Sequence, residues 1–342
     1  MIKLTPGKLL DEKGHLTQAG WATSLVKEYN RKDVKANAMR IKEWDYYIVT
    51  NGKYAVALTI DDNSYMSMGS VSFLDFEKPS YITKSQIHLF SWGKVGFPSS
   101  LEEGDLHYKD DKISIDFYKT ESQRRLVCSF LDFKNGAPFS CDVTLCDFPK
   151  DYMVIATPFP KKKKAFYYNA KVNCMTAEGW AKIGSEEYIF DKKDSLGTLD
   201  WGRGVWTYKN TWYWGSMQTR IDDGKTFGWN IGYGFGDTSS ASEDMLFYDG
   251  VAHKLGRTTF HIPQKDGKDD FLSPWTFTCD DNRFYMEFVP IIDRYDNTDL
   301  VVLCSKQHQV FGKFTGWAIL DDGTKIEIKD KIGFAEKVFN KW

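Results

Sequence analysis

The sequence predicts an all-β protein in which short antiparallel strands close into barrels or barrel-like sheets, in two consecutive domains. Three observations carry this expectation. A chain of 342 residues is long for a single core, so two domains is the natural prior. Aromatic residues make up 16% of it, with 12 Trp, 18 Tyr and 24 Phe, and these are the types that fill sheet interiors. From about Trp44 onward, segments with partial period-two alternation are separated by hairpin chemistry rather than by long helical patterns.

In chain order, DYYIVTN, YAVALTIDD, SYMSMGSVSFLDF, ISIDFYK, RRLVCSFLDF and FSCDVTLCDF each read as a strand. Asn51-Gly52, Asp61-Asp62-Asn63, Asp110-Asp111 and Asn135-Gly136 punctuate them as turns. The second half repeats the style. Asp222-Asp223-Gly224 joins WYWGSMQTRI to TFGWNIGYGF, and Asp321-Asp322-Gly323 joins FTGWAIL to KIEIKD. Two segments read as helical: Thr17 to Tyr29, with Ala19, Ala22, Leu25 and Val26 at helical spacing, and a closing turn near Phe334 to Asn340. Gly232, Gly234 and Gly236 alternate within a strand pattern, which fits a bulge or close sheet packing better than a phosphate cradle.

Composition narrows the function classes. A net charge of −2 gives no bulk attraction to phosphate, so nucleic acid is not an expected partner, and Lys161 to Lys164 reads as a solvated loop. Six cysteines show neither CxxC spacing nor a disulfide-dense pattern, which fits reduced thiols in a cytoplasm. The amino terminus has no apolar signal region and no run of eighteen apolar residues occurs, so a soluble chain without an integral membrane segment is expected. The six histidines show no HxH, HExxH or His–Cys cluster. There is no GxSxG, and no cysteine has a visible base beside it. Neither a metal nor a cofactor is expected.

Leu199 to Tyr233 is the densest stretch, with Trp201, Trp206, Trp212, Trp214 and Trp229 around Asp200 and Arg203. Charges in such a wall are costly unless paired or used. Gly202 and Gly204 flank Arg203, so a glycine-flanked turn is expected to bring its guanidinium back to Asp200 at a shared aromatic-lined cavity. Catalytic candidates are therefore Asp200, Arg203 and His308, the last for its near-neutral pKa. Trp206, Tyr208, Trp212, Trp214, Tyr233 and Glu243 are the candidate ligand contacts, although Glu243-Asp244 also reads as a solvated loop.

LDWGRGVWTYKNTWYWGS, FGWNIGYGFGDTSSASEDMLFYDGVAHKL, PIIDRYD and SKQHQVFGKFTGWAILDDGTKIEIKDKIGFAEKVFNKW, with FYYNAKVNCMTAEGW upstream, resemble the bacterial family known as domain of unknown function 2804. The likeness runs from TPGKLLDEKGHLTQAGW to Trp342. An acid beside tryptophans, then WYW, an Asp-Asp-Gly hairpin and an aromatic strand, is also similar to the junction in carotenoid 1,2-hydratase and its relatives. That resemblance implies two lipocalin-like β-barrels, here residues 1–205 and 206–342. It also implies a cofactor-independent hydratase, lyase or isomerase acting on a small, largely apolar or ring-containing ligand. The alternatives are a non-catalytic lipid or small-molecule carrier and a carbohydrate-active protein. The oligomeric state is left open.

Overall fold

The computed structural model describes residues 1–221, 224–300 and 303–341. It is all-β, with two short 3-10 turns at Arg31–Asp33 and Ala38–Arg40 and no α-helix among the described residues. Two large antiparallel sheets curl toward barrels. In the first, of thirteen strands, a central run places Ile41–Thr50 beside Leu196–Val205, which pairs with Phe166–Ile183. Ser80–Leu89 and Leu106–Lys109 are its two edges. They come together where the Tyr108 ring lies on Gly69, too close for a Cβ there, and the Tyr108 hydroxyl donates to the Gln86 carbonyl at 2.9 Å. The second sheet, of nine strands, runs from Val251–Lys254 through Lys209–Arg220, Lys325–Lys341 and Leu303–Ile319 to Thr258–His261.

The hairpin readings at Asn51-Gly52, Asn135-Gly136 and Asp321-Asp322-Gly323 are realised. Asn135 and Gly136 both take positive φ, 51° and 86°, between strands that pair Lys134 with Ala137. Gly323 (φ 86°) closes the link between Ile319 and Lys325. Asp222 and Asp223 lie outside the described residues. Both helical expectations fail. Within residues 17–29, Gly20–Ala22 instead adds a strand to Met153–Pro158, and Lys27–Glu28 pairs in parallel with Gly7–Lys8. Phe334 to Asn340 belongs to the strand Lys325–Lys341, hydrogen-bonded on both sides. Its 334–338 stretch is buried on both faces except at Lys337's flank, so no period-two pattern marks it.

The same two-sided burial explains the continuous apolar character of Leu196–Val205, every residue of which is buried. One face of this strand looks into the first barrel and the other meets the second sheet. A bulge between Val172 and Met175 pins the two sheets together. There Asn173 donates to the Ser216 hydroxyl at 2.7 Å, and the backbone N–H of Cys174 (φ 66°) donates to the Gln218 side chain at 2.7 Å. All six cysteines are buried free thiols.

Candidate functional site

Strand alternation decides which charges meet. Asp200 and Arg203 are three residues apart on one strand, so their side chains leave opposite faces and do not pair. The expected glycine-flanked turn is a strand. Gly202 sits within it because the Trp44 indole lies flat on its backbone, where a Cβ would come within 1.9 Å of the ring. Arg203 points into the first barrel. It donates to Asp45 at 3.0 Å and to the carbonyls of Trp44 and Pro98, its guanidinium stacked over Trp201. Lys119 bonds the other Asp45 oxygen at 3.1 Å, completing a fully buried triad.

Asp200 faces the second sheet, where two cross-strand rows oppose each other. Lys171, Asp200 and Tyr46 are register partners in the first sheet. Gln309, Glu336 and Trp214 are register partners in the second. The Lys171 ammonium lies 2.8 Å from Asp200 and 3.6 Å above the centre of the Trp214 ring, joining the rows. Asn169 donates to Asp200 at 2.7 Å. Trp212 and Gln309 donate to the two Glu336 oxygens at 3.1 and 3.2 Å. Trp214 donates to Asn230, which in turn donates to the Glu243 carbonyl. The Glu243 carboxylate lies over Gly232, register partner of Trp214; a Cβ on that glycine would be 3.3 Å from Oε2.

Three buried carboxylates thus surround one lysine. Burial pushes Glu243 up to about 7 against the pull of Lys171, with Asp200 and Asp244 adding to the rise. Glu336 is likewise raised to about 7 by burial, opposed by Lys171, the Trp212 hydrogen bond and Arg294. Arg294 donates to Ser72 of the first sheet at 2.8 Å, a further tie across the junction. Beside the carboxylates stands an aromatic cluster of Trp44, Tyr167, Trp206, Trp212 and Phe235, with the Trp206 and Trp212 rings 4.6 and 5.2 Å from Phe235. Asn169 Oδ1 and Gln309 Oε1 are buried there without a hydrogen-bond partner among the described residues. Nearby, a cavity of about 20 Å³, room for about one water, lies between the sheets against Thr198, Ser216 and Phe334.

Of the residues singled out from the sequence, Asp200, Trp206, Trp212, Trp214 and Glu243 meet at this junction. Glu243 and Asp244 are buried rather than on a solvated loop, because Asp244 is bound by Thr258 and by the backbone N–H of Gly232. The others lie elsewhere. Tyr233 stacks on Tyr213 at 4.6 Å in the second barrel, and Tyr208 is exposed with Arg40 over its ring. His308 is sandwiched between Phe271 and Tyr295 with Nδ1 at 2.7 Å from Asp293, beside an open groove lined by Lys268, Asp270 and Leu272. Sequence reasoning missed Lys171 and Glu336, although the lone charge inside FYYNAKVNCM and the Glu336-Lys337 pair inside GFAEKVF carry the same signal as Asp200. Cys279, Asp280 and Asp281 are the one group of potential metal ligands within reach of one another among the described residues; both acids are exposed and accept backbone N–H groups of residues 256 and 257.

The sequence model for the family described as domain of unknown function DUF2804 matches residues 2–342, and the chain belongs to that family. No curated protein matches it. Its fold is similar to that of a protein assigned as AttH from Nitrosomonas europaea, at 12% identity and TM-score 0.54, covering 91% of this chain and 96% of that one. It is also similar to kievitone hydratase from Nectria haematococca, at 11% identity and TM-score 0.47, covering 99% and 98%. No helix among the described residues is long and apolar enough to cross a membrane.

Proposed function

We propose that this DUF2804 protein is a cofactor-independent hydratase, lyase or isomerase that works by acid–base catalysis on a small, largely apolar or ring-containing molecule. The observation that carries this reading is the group of three buried carboxylates around Lys171, two of them held near pKa 7 inside an aromatic wall. A carboxyl poised near neutrality is suited to giving and taking protons at the pH of a cell. In the hydration direction, Glu336, protonated and held by Trp212, gives its proton to one carbon of a double bond. The rings of Trp206 and Trp212 stabilise the positive charge that develops on the other carbon. Glu243, as carboxylate, takes a proton from water as the water oxygen bonds to that carbon. Dehydration is the reverse, and moving a double bond needs only the two proton transfers.

Asp200 holds Lys171 between the rows, a positioning role supported by their 2.8 Å contact. Arg203 and His308 have no part in this chemistry, because one faces the first barrel's interior and the other the Phe271 groove. The division into 1–205 and 206–342 belongs to the same reading; it is supported by the chain leaving the first sheet at Val205 and joining the second at Lys209. A pure carrier needs none of the three carboxylates.

The test is incubation with a panel of apolar alkenes and alcohols in isotopically heavy water, read by mass spectrometry. Wild-type protein should incorporate label into one class, and Glu336→Gln should not. Ligand binding without label incorporation, unchanged in Glu336→Gln, would establish the carrier instead.

A further inference from the structure

The register places five connections at one end of the first sheet. Ile41 pairs with Val205, Val205 with Phe166 and Phe166 with Pro158, while Glu43 pairs with Asp62 and Met66 with Leu89. Segments 29–40, 63–65, 90–98, 159–165 and 206–208 therefore share a rim. Two features of it are unusual together.

The first is exposed apolar bulk. Leu89, Phe90, Trp92 and Met39 are 69, 60, 46 and 43% exposed. Phe90 and Trp92 both take positive φ, 59° and 53°, a conformation costly for bulky residues. Their rings lie roughly parallel, 6.3 Å apart. The segment is held rigidly in that strained shape. Phe90 and Trp92 donate backbone N–H groups to the Tyr65 and Ser64 carbonyls. Buried Asp62 takes the Ser91 hydroxyl at 2.7 Å and the Gly93 N–H at 3.2 Å. Strain of this kind, stored to keep aromatic rings in water, points to something that covers them.

The second is charge. Lys32, Lys35, Lys94 and Lys161 to Lys164 are all exposed on these segments, and none is ion-paired among the described residues. Asp33 is the one half-buried acid on the segments, since Asp61 lies within the strand behind them. The lysines are continuous with the aromatic loop. The Arg31 guanidinium packs on Gly93, and Lys164 donates to the Lys35 carbonyl at 3.0 Å. The acids Glu102, Glu103 and Asp105 follow on the later part of the same 90–105 connection, where Glu102 meets Tyr152 and Asp105 meets the Lys119 backbone, and Glu121 lies on the next hairpin, so the cationic sector is bounded on that side.

We propose that this sector docks the protein on an anionic lipid bilayer. Phe90, Trp92 and Met39 insert at the headgroup level, where aromatic rings are favoured, and the seven lysines meet anionic headgroups. A soluble polyanion would use the lysines but leave the apolar residues without a role. The rim adjoins the aromatic side of the junction: the backbone N–H of Trp206, one of that cluster, donates to the Arg40 carbonyl. Docking would therefore bring the aromatic cluster toward the phase in which an apolar ligand dissolves. The proposal stands whether or not the junction is catalytic.

The experiment is co-sedimentation of the full chain with vesicles of phosphatidylcholine alone and with added phosphatidylglycerol. Three proteins are compared: wild type, the double variant Phe90→Ser/Trp92→Ser, and a variant with Lys161 to Lys164 each changed to Gln. Wild type should bind only the anionic vesicles, and more weakly at high salt. Each variant should lose about tenfold or more in affinity while keeping its melting temperature. Absence of binding to anionic vesicles overturns the proposal. So does equal binding by wild type and Phe90→Ser/Trp92→Ser, and, if these two also bind heparin alike, the partner is a soluble polyanion.

Discussion

Changing Glu336 to Gln tests the electrostatics of the junction without knowledge of a substrate. A carboxyl raised from 4.5 to about 7 in the folded protein holds its proton more tightly there than in the unfolded chain. The stability this lends is present in full below 4.5 and is lost as pH rises through 7. At about 1.36 kcal/mol per pH unit, the loss for Glu336 comes to about 3 kcal/mol. Gln keeps the shape and one carbonyl oxygen for Trp212, and its amide, in place of the oxygen that Gln309 Nε2 bonds, donates to Gln309 Oε1 once the Gln309 amide turns over. It does not titrate. Urea unfolding of both proteins at about pH 5 and about pH 8.5 is the assay. The advantage of Glu336→Gln over wild type should grow by about 2–3 kcal/mol from the lower pH to the higher. Parallel pH profiles would refute the reasoning, since they would mean that Glu336 is solvated in the native protein.

Three further outcomes are expected. Asp200→Asn removes the carboxylate in contact with Lys171, leaving Glu243 and Glu336 to compensate in part, and should cost about 3 kcal/mol, whereas the double variant Asp200→Asn/Lys171→Met should recover much of that in urea unfolding. Asp45→Asn strands Lys119 and Arg203 inside the first barrel and should cost a similar ~3–5 kcal/mol, visible as a lowered thermal midpoint. Gly202→Ala drives a methyl into the Trp44 ring, so it should destabilise by more than ~1 kcal/mol and shift the tryptophan fluorescence, while Ser99→Ala on an exposed loop should do neither.

The hairpins were legible because their chemistry is local: Asn135-Gly136 needs two positive φ values and has the residues that take them. Asp200 was legible as a charge among tryptophans. Its partner was not, because three residues along a strand reverse the side chain, and of the glycines that read as a turn Gly202 makes room for Trp44 and Gly204 for the Phe166 carbonyl and Trp206. Glu336 was hidden by a helical reading of a strand buried on both faces, which lacks the alternation that marks an exposed one. Lys171 and Glu336 are 165 residues apart, and only the packing of the two sheets brings them to the same lysine–carboxylate group. No local pattern encodes that meeting.

The placement of Lys171 over Trp214 makes acidity at the junction a property of the seam between the sheets, not of either sheet. Each half of the chain alone holds its carboxylates on an open surface, where water would return them to ordinary acid strength. If the seam parts and water fills it, Glu243 and Glu336 release their protons. If an apolar guest fills it instead, the desolvation persists and the protons stay. Whatever fills the seam then sets the acidity of these two carboxyls.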